Sequence, residues 1–153
     1  MYKGWSRFQP ILRYRKSVED GLSLKLADIK RRFKRKEEEL LNLKNKCLLL
    51  KGELLKEGKS DWRSIAVHGQ YLLLLSDEIS KVEEELEEIN VEMEETREKL
   101  LQASKERKVV EKIIERCLEV QKKSEKTKET KLLDETGIIS YINRAGKGNE
   151  ERA

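Results

Sequence analysis

The sequence has little of what a compact or membrane-inserted protein needs. Of its 153 residues one is proline and 5% are aromatic. The longest apolar runs, such as residues 71–75, are far shorter than the roughly 20 residues of a membrane-spanning helix. The two cysteines are isolated, which indicates neither a disulfide framework nor a zinc site, and the N-terminus has no apolar signal region. We therefore expect a cytoplasmic chain without direct membrane insertion.

Groups suited to catalysis or cofactor binding are also scarce. The eight glycines are scattered, and the C-terminal Gly-Lys-Gly does not complete a phosphate-binding loop. The single histidine, His68, falls on a predicted helix seam opposite Cys47, where packing is a commoner role than metal ligation. We predict no catalytic residue, no cofactor, no metal ion and no enzyme activity.

Charged residues, by contrast, make up 42% of the chain, and apolar residues recur in alternating steps of three and four. One such seam, interrupted only by Thr96 and Arg107, consists of Leu72, Leu75, Ile79, Val82, Leu86, Ile89, Met93, Leu100, Ala103, Val110, Ile114 and Cys117. An earlier seam, with Lys36 as its one polar member, consists of Leu22, Leu26, Ile29, Phe33, Leu40, Leu43, Cys47, Leu50 and Leu54. A heptad period held this long is typical of coiled coils. It predicts an all-α fold of two long helices in an antiparallel coiled-coil hairpin, with the second helix longer.

Pro10 is tolerated in the first turn of the first helix. Gly58 suits the end of that helix, and Ser60 suits the N-cap of the second helix. The chain is predicted to form one domain with these segments: an N-terminal tail at 1–9, a first helix at 10–56, a turn at 57–60, a second helix at 61–135 and a flexible tail at 136–153.

Pairing the seams about this turn predicts a register. Its layers are Leu54 with Asp61, Leu50 with Ile65, Leu43 with Leu72, Phe33 with Val82, and Leu22 with Met93. The register brings an acidic block at 77–98 against a basic block at 17–38, which supports the hairpin over a parallel dimer. Beyond about residue 107 the second helix has no partner, and its apolar side is expected to be uncovered.

Two surfaces lie off the seams. Apolar residues gather near the hairpin tip and predict a protein-binding patch; the candidates are Leu48, Leu49, Trp62, Tyr71, Leu73 and Leu74. The open end is basic, with the candidates Arg13, Arg15, Lys16, Lys105, Arg107 and Lys108. Acids alternate with these bases and aromatic residues are few, so we predict no nucleic-acid binding. Burial of the stray leucines by self-association is the alternative for the patch.

Two short motifs carry a family resemblance. They are Phe8-Gln9-Pro10-Ile11-Leu12-Arg13-Tyr14-Arg15-Lys16 with Glu19, and Ser104-Lys105-Glu106-Arg107-Lys108-Val109-Val110-Glu111-Lys112 with Leu133-Asp134-Glu135. With the hairpin, they make residues 5–142 resemble the flagellar export protein FliJ. The resemblance implies a component of the flagellar type III export apparatus, and thus of motility, whose fold is similar to the central stalk of rotary ATPases.

The resemblance also implies partners. The end with both termini would insert into the ring of the export ATPase and stimulate it, while the rod would contact the export gate protein FlhA and escort export chaperones at the cytoplasmic face of the membrane. The six basic candidates would then be the ATPase contact and the apolar patch the gate contact. Alternatives are the stalk of a virulence-type secretion system, a rotary ATPase stalk, and a self-associating coiled-coil adaptor.

Overall fold

Two long α-helices account for nearly all of the structure, a computed structural model that describes residues 4–56 and 61–150. A short 3₁₀ helix, Gly4–Arg7, precedes helix α1, Gln9–Lys56, which has 48 residues. Helix α2, Trp62–Glu150, has 89 residues. Within the described ranges there is no strand. The predicted all-α fold with a longer second helix is confirmed.

The start of α1 follows from its local sequence. Pro10 lies in the first turn, where its missing N–H would have no intrahelical acceptor. The N–H of Phe8 donates to the carbonyl of Trp5 at 3.1 Å, and the N–H of Leu12 donates to the carbonyl of Phe8 at 2.9 Å. The 3₁₀ helix therefore leads directly into α1, and much of the predicted N-terminal tail is helical.

The predicted turn at 57–60, with Gly58 and Ser60, lies outside the described residues. On its far side, the carbonyl of Asp61 accepts a hydrogen bond from the N–H of Ile65 at 3.2 Å. This bond opens α2 and places Asp61 at the helix N-terminus, where the helix dipole favours an acidic residue.

Helix α2 continues beyond the predicted end at residue 135, as far as Glu150. The flexible tail expected from residue 136 is therefore helical over most of its length. Gly137 and Gly146 lie within this stretch without a positive φ angle. Glycine weakens a helix, which is why the sequence predicts an earlier end, but here it does not stop the helix. Between residues 122 and 148 every side chain is exposed.

The chain comprises two compact units, where the sequence predicts one domain. The hairpin unit is Ser17–Ser104, and the terminal unit combines Met1–Lys16 with Lys105–Ala153. Each unit therefore contains parts of both helices.

In the hairpin unit the buried side chains all lie on the predicted seams. Ile29 is completely buried, and four further apolar residues are nearly so: Leu75, Val82, Met93 and Ala103. Thr96 is also buried, and its Oγ1 donates to the carbonyl of Glu92 at 2.8 Å. This bond removes the penalty of an unsatisfied buried hydroxyl, which is why the seam tolerates a threonine.

Lys36, the polar member of the first seam, is held by two carboxylates. Its Nζ lies 2.6 Å from Glu85 and 3.1 Å from Glu39. The hydrogen bond to Glu85, followed by that to Glu39, stabilises the ammonium and raises the pKa of Lys36 above its ordinary value of 10.5, against an opposing effect of partial burial. The lysine thus enters the seam as a charged, paired group.

The register of the hairpin unit differs from the predicted one. In the predicted register Lys36 faces Ile79, but its partner is Glu85, about 9 Å further along α2. The guanidinium of Arg32 likewise bonds both carboxylate oxygens of Glu92 at 3.0 Å. The helices are therefore displaced by about one heptad from the predicted alignment, a shift that returns the same seam positions to the interface. Ile65, predicted to form a layer with Leu50, is 52% exposed.

The terminal unit has its own small core, where the sequence predicts an uncovered face. Val110 and Ile114 are buried. Trp5, Phe8 and Leu12, from the N-terminal segment of the same unit, are half-buried. Trp5 lines a groove together with Cys117 and Val120 of α2, so this segment lies against α2 past residue 107. The expectation of an uncovered face from that point is therefore wrong.

We predict that Gly21→Ala stabilises the chain. Gly21 lies inside α1, and a Cβ added there meets nothing within 4 Å. Alanine is favoured over glycine in a helix interior by about 0.5–1 kcal/mol, so the urea unfolding midpoint should rise without a change in slope. Gly21→Pro should lower it, and a lower midpoint for the alanine variant would contradict the assignment.

The Lys36 ion pairs predict a specific pH dependence. A raised pKa in the folded state gives stability that is present below the unfolded-state pKa and is lost as the pH rises through the folded-state pKa, here above 10.5. The unfolding free energy of the wild type relative to Lys36→Met should therefore stay constant near neutral pH and fall above pH 10.5. Glu85→Gln should reduce this fall, and an unchanged fall would exclude Glu85 as the main cause.

Candidate functional site

All six basic candidates lie in the terminal unit. Two of them are held in ion pairs within that unit. Arg15 pairs with Glu106, and Nη1 of Arg107 donates to Glu111 at 2.7 Å with only 22% of the Arg107 side chain exposed. The pair of Arg15 therefore links α1 to α2, whereas the pair of Arg107 lies within one turn of α2. Both arginines present little charge to a partner.

The remaining bases give the terminal unit a positive surface. Within residues 4–16 and 105–120, seven basic side chains are exposed against two acidic ones. The bases are Arg7, Arg13, Lys16, Lys105, Lys108, Lys112 and Arg116, and the acids are Glu115 and Glu119. Because the other two acids, Glu106 and Glu111, are partly buried in ion pairs, the exposed surface is more basic than the sequence suggests.

The six apolar candidates lie in the hairpin unit, and all are exposed. The structure divides them between two faces. Leu73 and Leu74 are about 100° apart around α2, so they lie on opposite sides of the seam that contains Leu72 and Leu75. Trp62, about three turns before Leu73, shares its face, whereas Tyr71 shares the face of Leu74. On α1 the adjacent Leu48 and Leu49 are separated in the same way.

A groove marks the first of these faces. It is an open cavity of about 490 Å³ between the two helices. It is lined by Lys44, Cys47, Leu48 and Lys51 of α1 and by Gly69, Leu72, Leu73, Ser76 and Ile79 of α2. We call it the lysine-flanked groove. Leu48 and Leu73 are the two apolar candidates that it brings together.

Sequence reasoning missed several parts of this groove. In the sequence, Lys44 and Lys51 resemble the other solvated lysines of α1, and Gly69 has no side chain that would indicate a binding site. A usable signal was the spacing of Leu41, Leu48 and Leu55, which are seven residues apart and all exposed. Leucines repeated every seven residues form a second apolar stripe along α1, beside the seam.

The residues that the structure describes contain no group of three or more metal-ligating side chains. His68 is half-buried, and its Nδ1 lies 2.7 Å from the carbonyl of Ser64, to which it donates. Because the groove places Cys47 beside Leu72 and Ser76, His68 does not form the predicted layer with it. Cys47 and Cys117 are both free. None of the described helices is long and apolar enough to cross a bilayer.

Comparison with known proteins identifies the family. A sequence model described as "Flagellar FliJ protein" matches residues 3–146, nearly the whole chain. The chain belongs to the FliJ family. Searches of curated proteins and of solved structures found no match. FliJ family membership makes the chain a flagellar export-related protein and confirms the predicted resemblance.

The burial of the α2 leucines in this FliJ family protein predicts which of them the fold needs. Leu73→Glu and Leu74→Glu each change an exposed side chain and should leave the circular dichroism at 222 nm and the melting temperature nearly unchanged, because surface substitutions usually cost less than about 0.5 kcal/mol. Leu75→Glu places a carboxylate in the core and should unfold the hairpin unit. Equal melting temperatures for all three variants would contradict the seam assignment.

Proposed function

We propose that this FliJ family protein is the coiled-coil stalk of the flagellar export ATPase, and that its terminal unit binds inside the ATPase ring and stimulates hydrolysis. The observation that carries the proposal is the exposed basic surface of the terminal unit, built by residues 4–16 and by residues 105–120 of α2. A clustered surface of one sign favours a partner surface of the opposite sign and speeds encounter with it. The fitting partner surface is therefore an acidic one that faces the inside of the ring.

The mechanism is mechanical and contributes no group to the reaction. A stalk with different side chains on each side makes different contacts with each subunit of a ring. Each contact shifts the conformational equilibrium of its subunit only as far as its affinity differs between the open and closed states. The chain thereby promotes assembly and turnover without being an enzyme.

The hairpin unit is proposed to serve the remaining partners. Its exposed leucines and tryptophan at the tip form the candidate contact with the export gate protein FlhA and with export chaperones. This arrangement would hold the protein at the cytoplasmic face of the membrane through the export apparatus, with no insertion of its own.

A self-associating coiled coil is the second candidate function. It is favoured by the same exposed leucines, because apolar residues on both faces of a hairpin are suited to burial against further copies. Sedimentation equilibrium separates the two. A stalk stays monomeric at micromolar concentration, whereas an adaptor forms stable oligomers that Leu73→Glu with Leu74→Glu dissolves.

Charge reversal on the terminal unit tests the proposal. ATP hydrolysis by the flagellar export ATPase is measured with the wild type and with Arg13→Glu, Lys16→Glu and Lys108→Glu combined. These side chains are exposed and outside the ion pairs of Arg15 and Arg107, so the fold should survive. The combined variant should no longer stimulate hydrolysis. Each single variant should regain part of its stimulation at lower salt, because weaker screening strengthens the attraction of the remaining exposed charges for the ATPase.

The matched control is Lys46→Glu with Arg63→Glu, two exposed bases of the hairpin unit that lie outside its basic and acidic blocks. This variant should stimulate as the wild type does. A folded wild type that gives no stimulation, or a control that loses as much as the terminal variant, would contradict the proposal.

A further inference from the structure

The lysine-flanked groove has the features of a binding site for a third helix. It runs between α1 and α2, and its floor is formed by Cys47, Leu72 and Ile79 of the seams. Leu48 of α1 and Leu73 of α2 lie on either side of this floor, with 66% and 69% of their surface exposed. The side chains that a helix packs against are therefore already gathered, and no rearrangement of the hairpin is needed to admit another apolar stripe.

Gly69 opens the α2 side of the groove. An added Cβ there would meet nothing within 4 Å, so the glycine is not required by packing within the chain. It nevertheless costs helix stability, by about 1 kcal/mol relative to alanine. Its effect is to leave the backbone of α2 accessible at a level where a partner side chain can approach.

The charges on the groove select the partner. Lys44 and Lys51 stand one heptad apart on α1, a separation of about 10 Å. Lys44 lies 3.4 Å from Glu83 and keeps half of its side chain exposed. Lys51 is exposed. Two lysines beside an apolar floor favour a helix whose apolar stripe is bordered by acids.

We propose that the lysine-flanked groove binds an amphipathic helix of a partner protein that carries acidic side chains seven residues apart beside its apolar stripe. The opposite face, with Leu49, Tyr71 and Leu74, is a separate surface. The inference rests on the proposed function only in assigning a protein partner to the hairpin tip. It adds which of the two faces is used and what chemistry the partner must present.

Two matched synthetic peptides test the proposal with the full-length protein. Both are helical 21-residue peptides with the same leucine stripe and a fluorescein label. One carries glutamate, and the other lysine, at two positions seven residues apart beside the stripe. In fluorescence anisotropy titrations the acidic peptide should bind about tenfold or more tightly than the basic one, a difference of about 1.4 kcal/mol.

Variants of the groove and of the opposite face provide the controls. Leu73→Glu should weaken the acidic peptide at least tenfold, because it places a carboxylate in the apolar contact. Leu74→Glu, on the other face, should leave binding unchanged. Lys44→Glu with Lys51→Glu should exchange the preference, so that the basic peptide becomes the tighter ligand.

Four results would overturn the inference: no binding of the acidic peptide, an equal or tighter affinity for the basic peptide, an equal loss in Leu74→Glu, and a wild-type dimer that Leu73→Glu converts to a monomer. The last would make a second copy the occupant. The ATPase assay reports separately on the proposed function, because Leu73→Glu leaves the terminal unit intact. Lost peptide binding with retained stimulation would therefore contradict this inference alone.

Discussion

The structure depends on the pairing between the basic block of α1 and the acidic block of α2. Arg32 with Glu92 and Lys36 with Glu85 join the two blocks directly. Burying a seam leucine or isoleucine contributes more, about 1.5–3 kcal/mol, than an exposed ion pair, at about 0–1 kcal/mol. A displacement by a whole heptad keeps seam positions facing each other, so the seam pattern by itself does not select one register. The ion pairs distinguish the registers, because Arg32 meets Glu92 and Lys36 meets Glu85 in one alignment only.

The register determines which surfaces are available to partners. It places Leu48 beside Leu73 in the lysine-flanked groove, while Leu49 and Leu74 lie on the other face. In the terminal unit, Trp5, Phe8 and Leu12 lie half-buried in the same unit as Val110 and Ile114, while Arg15 and Arg107 pair with acids. The exposed bases that remain are those proposed to meet the ATPase. Both proposed activities of this FliJ family protein thus follow from interactions made within each unit.

The sequence predicts the helices, their order and their seams, because a heptad period is a local property that each helix displays alone. It predicts the register wrongly, because a displacement of seven residues leaves every seam position facing the partner helix. The same ambiguity explains why α2 beyond residue 107 was predicted to be uncovered. The division of the apolar candidates between two faces has another cause, because adjacent residues of a helix lie about 100° apart. Lys44 and Lys51 of α1 and Gly69 of α2 border one groove only when the two helices are aligned, so the sequence without a register does not bring them together.

Disulfide trapping of the register tests this account most directly. Cys117→Ser leaves Cys47 as the single thiol, and a second cysteine is then introduced at Leu75 or at His68. In the observed register, which the ion pairs mark, Cys47 faces Leu75. In the register predicted from the sequence, Cys47 faces His68. Mild oxidation should cross-link the Leu75→Cys chain within one molecule and leave the His68→Cys chain free. Cross-linking of the His68→Cys chain alone would contradict the alignment and the placement of Leu48 beside Leu73.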